Sequence, residues 1–190
     1  MKGRDPRFRL MRGMTRRSIA VAVTVLLLAG CAREQRPAPP PYARGAPPRV
    51  APGPAVSSAD YVAQASSIEL FLIGASELAL QKSSNARTRE FAQVEIPAHK
   101  GLSQQLSLEG RRLNLLPSAT LSPRHQAMLN ELERSADFDA LYRRDELAIH
   151  NEAEALQKRY AATGTSPTLR PLPGVFMPVI ERHLRMLKYL

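Results

Sequence analysis

Four histidines occur in the 190-residue chain: His99, His125, His150 and His183. Imidazole titrates nearest to neutral pH and is the commonest metal ligand, so the neighbours of these four decide what chemistry is open to the chain. Glu95 stands four residues before His99, Glu146 four before His150, and Glu181 two before His183. At a spacing of four, a carboxylate and an imidazole share one helix face, where they can hold a metal or orient each other. Glu69 is the upstream carboxylate best placed to complete such a set. The candidate ligands are therefore His99, His150, His183 and Glu69, for a divalent ion such as iron, zinc or manganese. The same three histidines also read as hydrogen-bonded core residues. A di-iron bundle needs Glu-x-x-His motifs on two helices, and no Glu-x-x-His occurs here. His125 follows Pro123 in a short polar segment and is expected at the surface.

Other catalytic sets are incomplete. The chain has no GxSxG, no phosphate-binding glycine loop and no HExxH. The carboxylate pairs Asp137/Asp139 and Glu152/Glu154 read as helix caps and solvated faces. The doublets Arg111-Arg112 and Arg143-Arg144 read as solvated faces too. An enzyme is not the expected class.

The single cysteine, Cys31, excludes an internal disulfide framework and any CxxC-type site. Its position is informative. Residues 1–17 carry seven basic side chains against one acid, and Ile19 to Leu28 is uncharged and mostly apolar. Ten such residues are too few to span a hydrocarbon layer, which takes about 20, so residues 1–30 read as a secretory signal. Leu28-Ala29-Gly30-Cys31 resembles the bacterial lipobox. The resemblance implies cleavage before Cys31, with lipid on its sulfur and an acyl chain on its new amine. Several chains on one residue meet the need for more than one anchor. By the same resemblance Ala32, not being Asp, implies the outer membrane, with the protein facing the periplasm. Thr15-Arg16-Arg17-Ser18 resembles a twin-arginine signal, which leaves the export route open, and Met11 or Met14 can serve as the start as well as Met1.

Residues 31–57 hold eight of the sixteen prolines. Proline lacks the amide donor, so this stretch reads as an extended tether. Its arginines also allow an arm that contacts peptidoglycan or a proline-binding partner.

From Ser58 the composition turns to alanine, leucine, glutamate, glutamine and arginine. Tyr61, Ala65, Ile68, Leu72, Ala75 and Leu78 recur at helical spacing behind a Ser58 or Asp60 cap. A second helix is expected from Ala86 to Leu113, kinked or broken at Pro97. Ser122-Pro123 opens a short helix to Arg134. Asp137 caps a third long helix running to Ala162, and the last runs from Gly174 to Leu190. The fold class is all-α: a four-helix bundle with one extra short helix, over residues 58–190.

The order of several fragments then carries a resemblance. They are Asp60-Tyr61-Val62 with Ala65, Leu78 to Lys82, Phe91-Ala92-Gln93 with His99, Phe138-Asp139 with Tyr142 and His150, and Pro178 with His183-Leu184. Together they resemble the bacterial domain of unknown function 4142 (DUF4142) family, whose members resemble ferritin-like bundles. The family's pattern implies histidines at the positions of His99, His150 and His183. The chain departs from it at Leu72, where a glutamate is usual, and at Ala98, where an acid is usual. Those departures imply a degraded metal site.

The net charge of +10 suggests nucleic acid until it is located. Residues 58–190 hold sixteen bases against fifteen acids, and the excess lies upstream. The expected partners are thus a membrane through Cys31 and envelope proteins or peptidoglycan, with no nucleic acid. The leading expectation is an exported, lipid-anchored bundle for protein or cell-wall contacts; the alternative is a metal-binding module.

Overall fold

The computed structural model describes residues 54–190. The signal segment, the lipobox and most of the tether lie outside the described residues. Those described form five helices and one terminal turn: α1 (Ser58–Lys82), α2 (Ala86–Arg111), α3 (Pro123–Arg134), α4 (Phe138–Thr163), α5 (Leu172–Met186) and a 3₁₀ turn at Leu187–Tyr189. No strand occurs among them. The fold is an all-α bundle, as the periodicity predicts.

Helix starts follow local chemistry. The Ser57 hydroxyl accepts from the Asp60 amide, the Asn85 side chain from the Arg87 amide, and the Ser122 hydroxyl from the His125 amide, each satisfying an orphan first-turn donor. Asp137 is a correction. It occupies the N-cap position of α4, but its side chain makes no capping bond. At the far end of α2, the amides of Leu113 and Leu115 both donate to the Gly110 carbonyl. Asn114 takes a left-handed conformation there, which asparagine tolerates better than most residues. The second helix thus stops at Arg111 rather than Leu113. The last helix starts two residues before Gly174 and passes into the 3₁₀ turn after Met186.

Pro97 lies inside α2, and the helix continues through it. Without an N–H, it leaves the Gln93 carbonyl without its ladder donor. Pro97 itself lies between Glu95 and His99.

Cross-helix pairs set the directions. Glu69 meets His99 while Ser76 meets Glu95, so α1 and α2 are antiparallel. Tyr61 meets Gln157 while Ser76 meets Tyr142, so α1 and α4 are antiparallel. His150 meets His183 while Arg143 reaches the Leu187 carbonyl, so α4 and α5 are antiparallel. Helices α1 and α5 therefore run one way and α2 and α4 the other, with α3 packed on α1 and α4. The core is the joined apolar stripes of these helices, with Tyr61, Phe71, Leu72, Tyr142, Ile149, Tyr160, Phe176 and Ile180 essentially inaccessible. Burying one such side chain contributes roughly 1.5–3 kcal/mol. Tyr61 and Tyr160 stack with ring centres 3.9 Å apart.

Charge is segregated. Glu69, Glu95, Asp145 and Glu146 are buried, whereas none of the Lys and Arg side chains of the bundle is. No helix among the described residues is long and apolar enough to cross a membrane.

Candidate metal centre

Three of the four long helices bring histidines to one point inside the bundle. His99 of α2, His150 of α4 and His183 of α5 are all inaccessible to solvent, as is Glu95 of α2. One ligand atom from each of these four lies within 4.8 Å of all the others. His99 Nε2 is 3.1 Å from His183 Nδ1, and His150 Nε2 is 3.3 Å from the same atom. Glu95 Oε1 is 3.4 Å from His150 Nε2 and 3.6 Å from His99 Nε2. Metal–ligand bonds of about 2.0–2.1 Å in a tetrahedron set neighbouring ligand atoms about 3.3–3.4 Å apart. Four of the six separations therefore bracket the value that a tetrahedral ion requires.

The outer hydrogen bonds fix which ring nitrogens face inward. His99 Nδ1 donates to Glu69 Oε2 at 2.8 Å, leaving Nε2 directed to the centre. His150 Nδ1 donates to the Glu146 backbone carbonyl at 2.8 Å, so its inward Nε2 carries a lone pair. These are the carboxylate–histidine and carbonyl–histidine arrangements that hold metal-binding imidazoles in one tautomer. Glu95 is held the same way. Its Oε2 accepts from Ser76 at 2.7 Å and from Tyr142 at 3.2 Å, while Oε1 points inward with no hydrogen-bond partner.

The unfilled bonding is the fit test. The His150 Nε2 lone pair faces the orphaned Glu95 Oε1 across 3.4 Å, and both are acceptors. Acceptors converging in a buried site repel unless a cation or proton stands between them. Imidazole and carboxylate donors suit zinc, iron or manganese. Hence the four residues could hold a metal ion.

Electrostatics follows from burial. Burial pulls the His183 imidazole down to about 3, helped by the charges of His99 and Arg182. Burial also holds His150 well below the ordinary histidine value, with the His99 charge adding to it. For His99 burial acts downward too, but the charge and hydrogen bond of Glu69, with the Glu95 charge, outweigh it and the ring is raised. Desolvation raises Glu95 and, more strongly, Glu146, whose carboxyl also feels the Glu95 charge.

The predicted residues divide as follows. His99, His150 and His183 converge, and all three are fully inside. Glu69 touches the outer nitrogen of His99, so it orients a candidate ligand and does not join the inward set. The inward carboxylate is Glu95, one helical turn before His99. Glu181 is exposed on α5 and takes no part. Leu72, at the position of the expected glutamate, is a fully buried core residue.

His125 is a further correction: it is buried, not at the surface. Its Nδ1 is 2.7 Å from the Ser67 hydroxyl, and Ser67 also accepts from the Ser122 amide. The Glu152 carboxylate is 3.4 Å from His125 Nε2. This set ties the start of α3 to α1 and α4.

Ser76 and Tyr142 were not singled out as site residues by sequence reasoning. Tyr142 is legible only as part of the Phe138-Asp139 fragment, and nothing local to Ser76 marks its role.

No curated protein and no solved structure matches the chain. The sequence pattern described as Domain of unknown function (DUF4142) matches residues 44–190, which span the whole bundle and every residue of this centre. The chain belongs to the DUF4142 family.

Proposed function

We propose that the bundle binds one divalent first-row transition-metal ion through Glu95, His99, His150 and His183. The observation that carries this reading is the convergence of four ligand atoms within 4.8 Å of one another, four of their six separations lying at 3.1–3.6 Å, with outer hydrogen bonds that aim two of the imidazoles inward. When bound, the ion supplies a compact positive charge that cross-links α2, α4 and α5. With four protein ligands, such a site is closed in the manner of structural zinc. The test is elemental analysis of the full chain produced in medium supplemented with zinc, iron and manganese. About one ion per chain is expected, falling below a tenth in His150→Ala and Glu95→Gln. A folded wild-type chain that stays metal-free and shows no thermal shift with any of the three ions overturns the reading.

We further propose that this module is an exported lipoprotein, anchored through Cys31 and carried on the proline-rich tether. Its place is then the outer membrane, facing the periplasm, with envelope proteins or peptidoglycan as neighbours. The lipobox at Leu28 to Cys31 and the eight prolines after it support this address. Labelled palmitate should enter the wild-type protein and not Cys31→Ser. Equal labelling of the two, or none in either, removes the proposal.

A further inference from the structure

The four candidate ligands are not held equally. His99 Nδ1 is bonded to Glu69, His150 Nδ1 to the Glu146 carbonyl, and Glu95 Oε2 to Ser76 and Tyr142. His183 turns Nδ1 to the centre, 3.1 Å from His99 Nε2 and 3.3 Å from His150 Nε2. Its outer nitrogen, Nε2, is buried and has no hydrogen-bond partner among the described residues. With Nδ1 turned to an ion, the one proton of the ring sits on Nε2, as a buried donor left unsatisfied. Metal-binding imidazoles almost always donate that proton to an outer acceptor, which fixes the ring. His183 lacks this fixing, and a ring swung outward gives the same proton water to bond.

The helix that carries His183 is short: α5 has 15 residues against 26 in α2 and in α4. Its N-cap residue, Pro171, has no side-chain acceptor to offer, and Pro178 inside it removes the ladder donor to the Gly174 carbonyl. A cavity of about 260 Å³ lies close by, lined by Phe91, Met186 and Leu190 together with Arg87, Glu90 and Tyr189. Phe91 is a wall shared with the centre. Its ring stands edge-on to His183 with ring centres 5.7 Å apart, and 6.4 Å from the ring of His150. Phe91 is buried, Met186 and Leu190 are half-buried, and the charged residues of the lining, Arg87 and Glu90, are exposed. Passage from the cavity to His183 is therefore past apolar side chains. An ion loses its hydration there with nothing to replace it, whereas a small uncharged molecule loses little.

We propose that His183 is a displaceable ligand, and that a small uncharged donor entering past Phe91 takes its place on the ion. The proposal rests on the metal reading above and extends it. Glu95, His99 and His150 retain the ion, and the position of His183 is where it meets an outside molecule. A centre closed by four protein ligands thereby opens to three, the number that leaves a position for water or substrate. The exchange is a ligand substitution: the Nδ1 lone pair leaves the ion as the lone pair of the donor arrives, and no electron or proton is transferred.

Two measurements on the full chain test this. The first compares variants for whichever of zinc, iron or manganese the wild type takes up. His183→Ala should lower affinity by less than about tenfold, and His150→Ala by more than about 100-fold, beyond the range of an outer partner. Equal losses overturn the proposal. The second loads the chain anaerobically with ferrous iron and adds nitric oxide, an uncharged diatomic probe that turns the EPR-silent ion into an EPR-active adduct. One adduct per chain is expected, and pulsed EPR should count two coordinated imidazoles in it. Three imidazoles, or no adduct in the iron-loaded chain, overturns the proposal. Phe91→Ala should speed adduct formation by about tenfold or more, since it removes the wall between cavity and ring. An unchanged rate overturns the route. Excess azide should not slow the reaction, and a slowed rate shows that an anion takes the position and overturns the uncharged class. Circular dichroism checks that each variant is folded, and if His183→Ala is not, the imidazole count in the wild type decides. A folded wild type that takes up none of the three ions defeats the metal reading and this proposal with it, whereas every other result bears on His183 alone.

Discussion

The carboxylate of Glu69 on α1 accepts the outer ring proton of His99 on α2 at 2.8 Å, with both side chains buried. This contact draws the fourth long helix into a centre whose candidate ligands come from α2, α4 and α5. A carboxylate behind an imidazole makes the ring a stronger donor to metal and fixes its orientation.

Glu69→Gln keeps an acceptor of the same shape but removes the charge. Metal affinity should fall by about 10–100-fold, the usual effect of losing an outer partner. A competition titration against a chromophoric chelator measures it. An unchanged affinity would show that His99 is oriented without help from α1.

Metal binding should release protons. His99 is raised from its ordinary value near 6.5, so the metal-free centre holds a proton there that an ion must displace. His150 and His183 are lowered and enter already neutral at pH 7. Affinity should therefore climb between pH 6 and 8. Calorimetry in two buffers of different ionisation enthalpy should return a positive count of released protons, and a count of zero contradicts the assignment.

His183 also predicts a stability trend in the metal-free chain. The unfolded ring takes up a proton below its ordinary pKa near 6.5, while the folded ring waits until about 3. The unfolded state thus binds more protons in that window, and stability falls as pH drops through it. The slope from this one group approaches about 1.4 kcal/mol per pH unit. Urea denaturation of wild type and His183→Gln at pH 7 and pH 5 isolates the term: the wild-type advantage should shrink by more than about 1 kcal/mol.

Gly110 carries a steric prediction. A Cβ placed there runs into the Leu115 backbone carbonyl, and backbone cannot swing aside as a long side chain can. Gly110→Ala should destabilise the fold by about 1–3 kcal/mol, the scale of overpacking. Gly101→Ala serves as the control, since nothing lies within 4 Å of its added Cβ. There the change should be neutral or stabilising, because alanine is the better helix former.

These comparisons show what the chain reveals of itself locally. The start of α3 was legible at Ser122, whose side chain caps it, whereas α1 is capped by Ser57 rather than by Ser58 or Asp60, and the apolar stripes named most of the core. Asp137 looked like the same signal, but its side chain makes no such bond. The three histidines were legible as a group because each sits on its own helix. Choosing Glu95 over Glu69 was not, because both carboxylates precede His99 and only the register of α1 against α2 puts one inside and the other behind. His125 failed for a related reason: a polar twelve-residue helix carries no stripe that announces its buried side, and Ser67, 58 residues away, supplies it.

The buried acids change the meaning of the bundle's near-balanced charge. Four of its fifteen acids are inside, so the solvent-facing layer holds sixteen bases against eleven acids. A free divalent cation approaching the folded protein meets a repelling shell before it can feel the attracting interior. Charge placement thus acts as a rule of timing. On the proposed metal reading, an ion would be admitted most readily while the helices are still apart, and once they close the same layer would stand between it and any competitor outside.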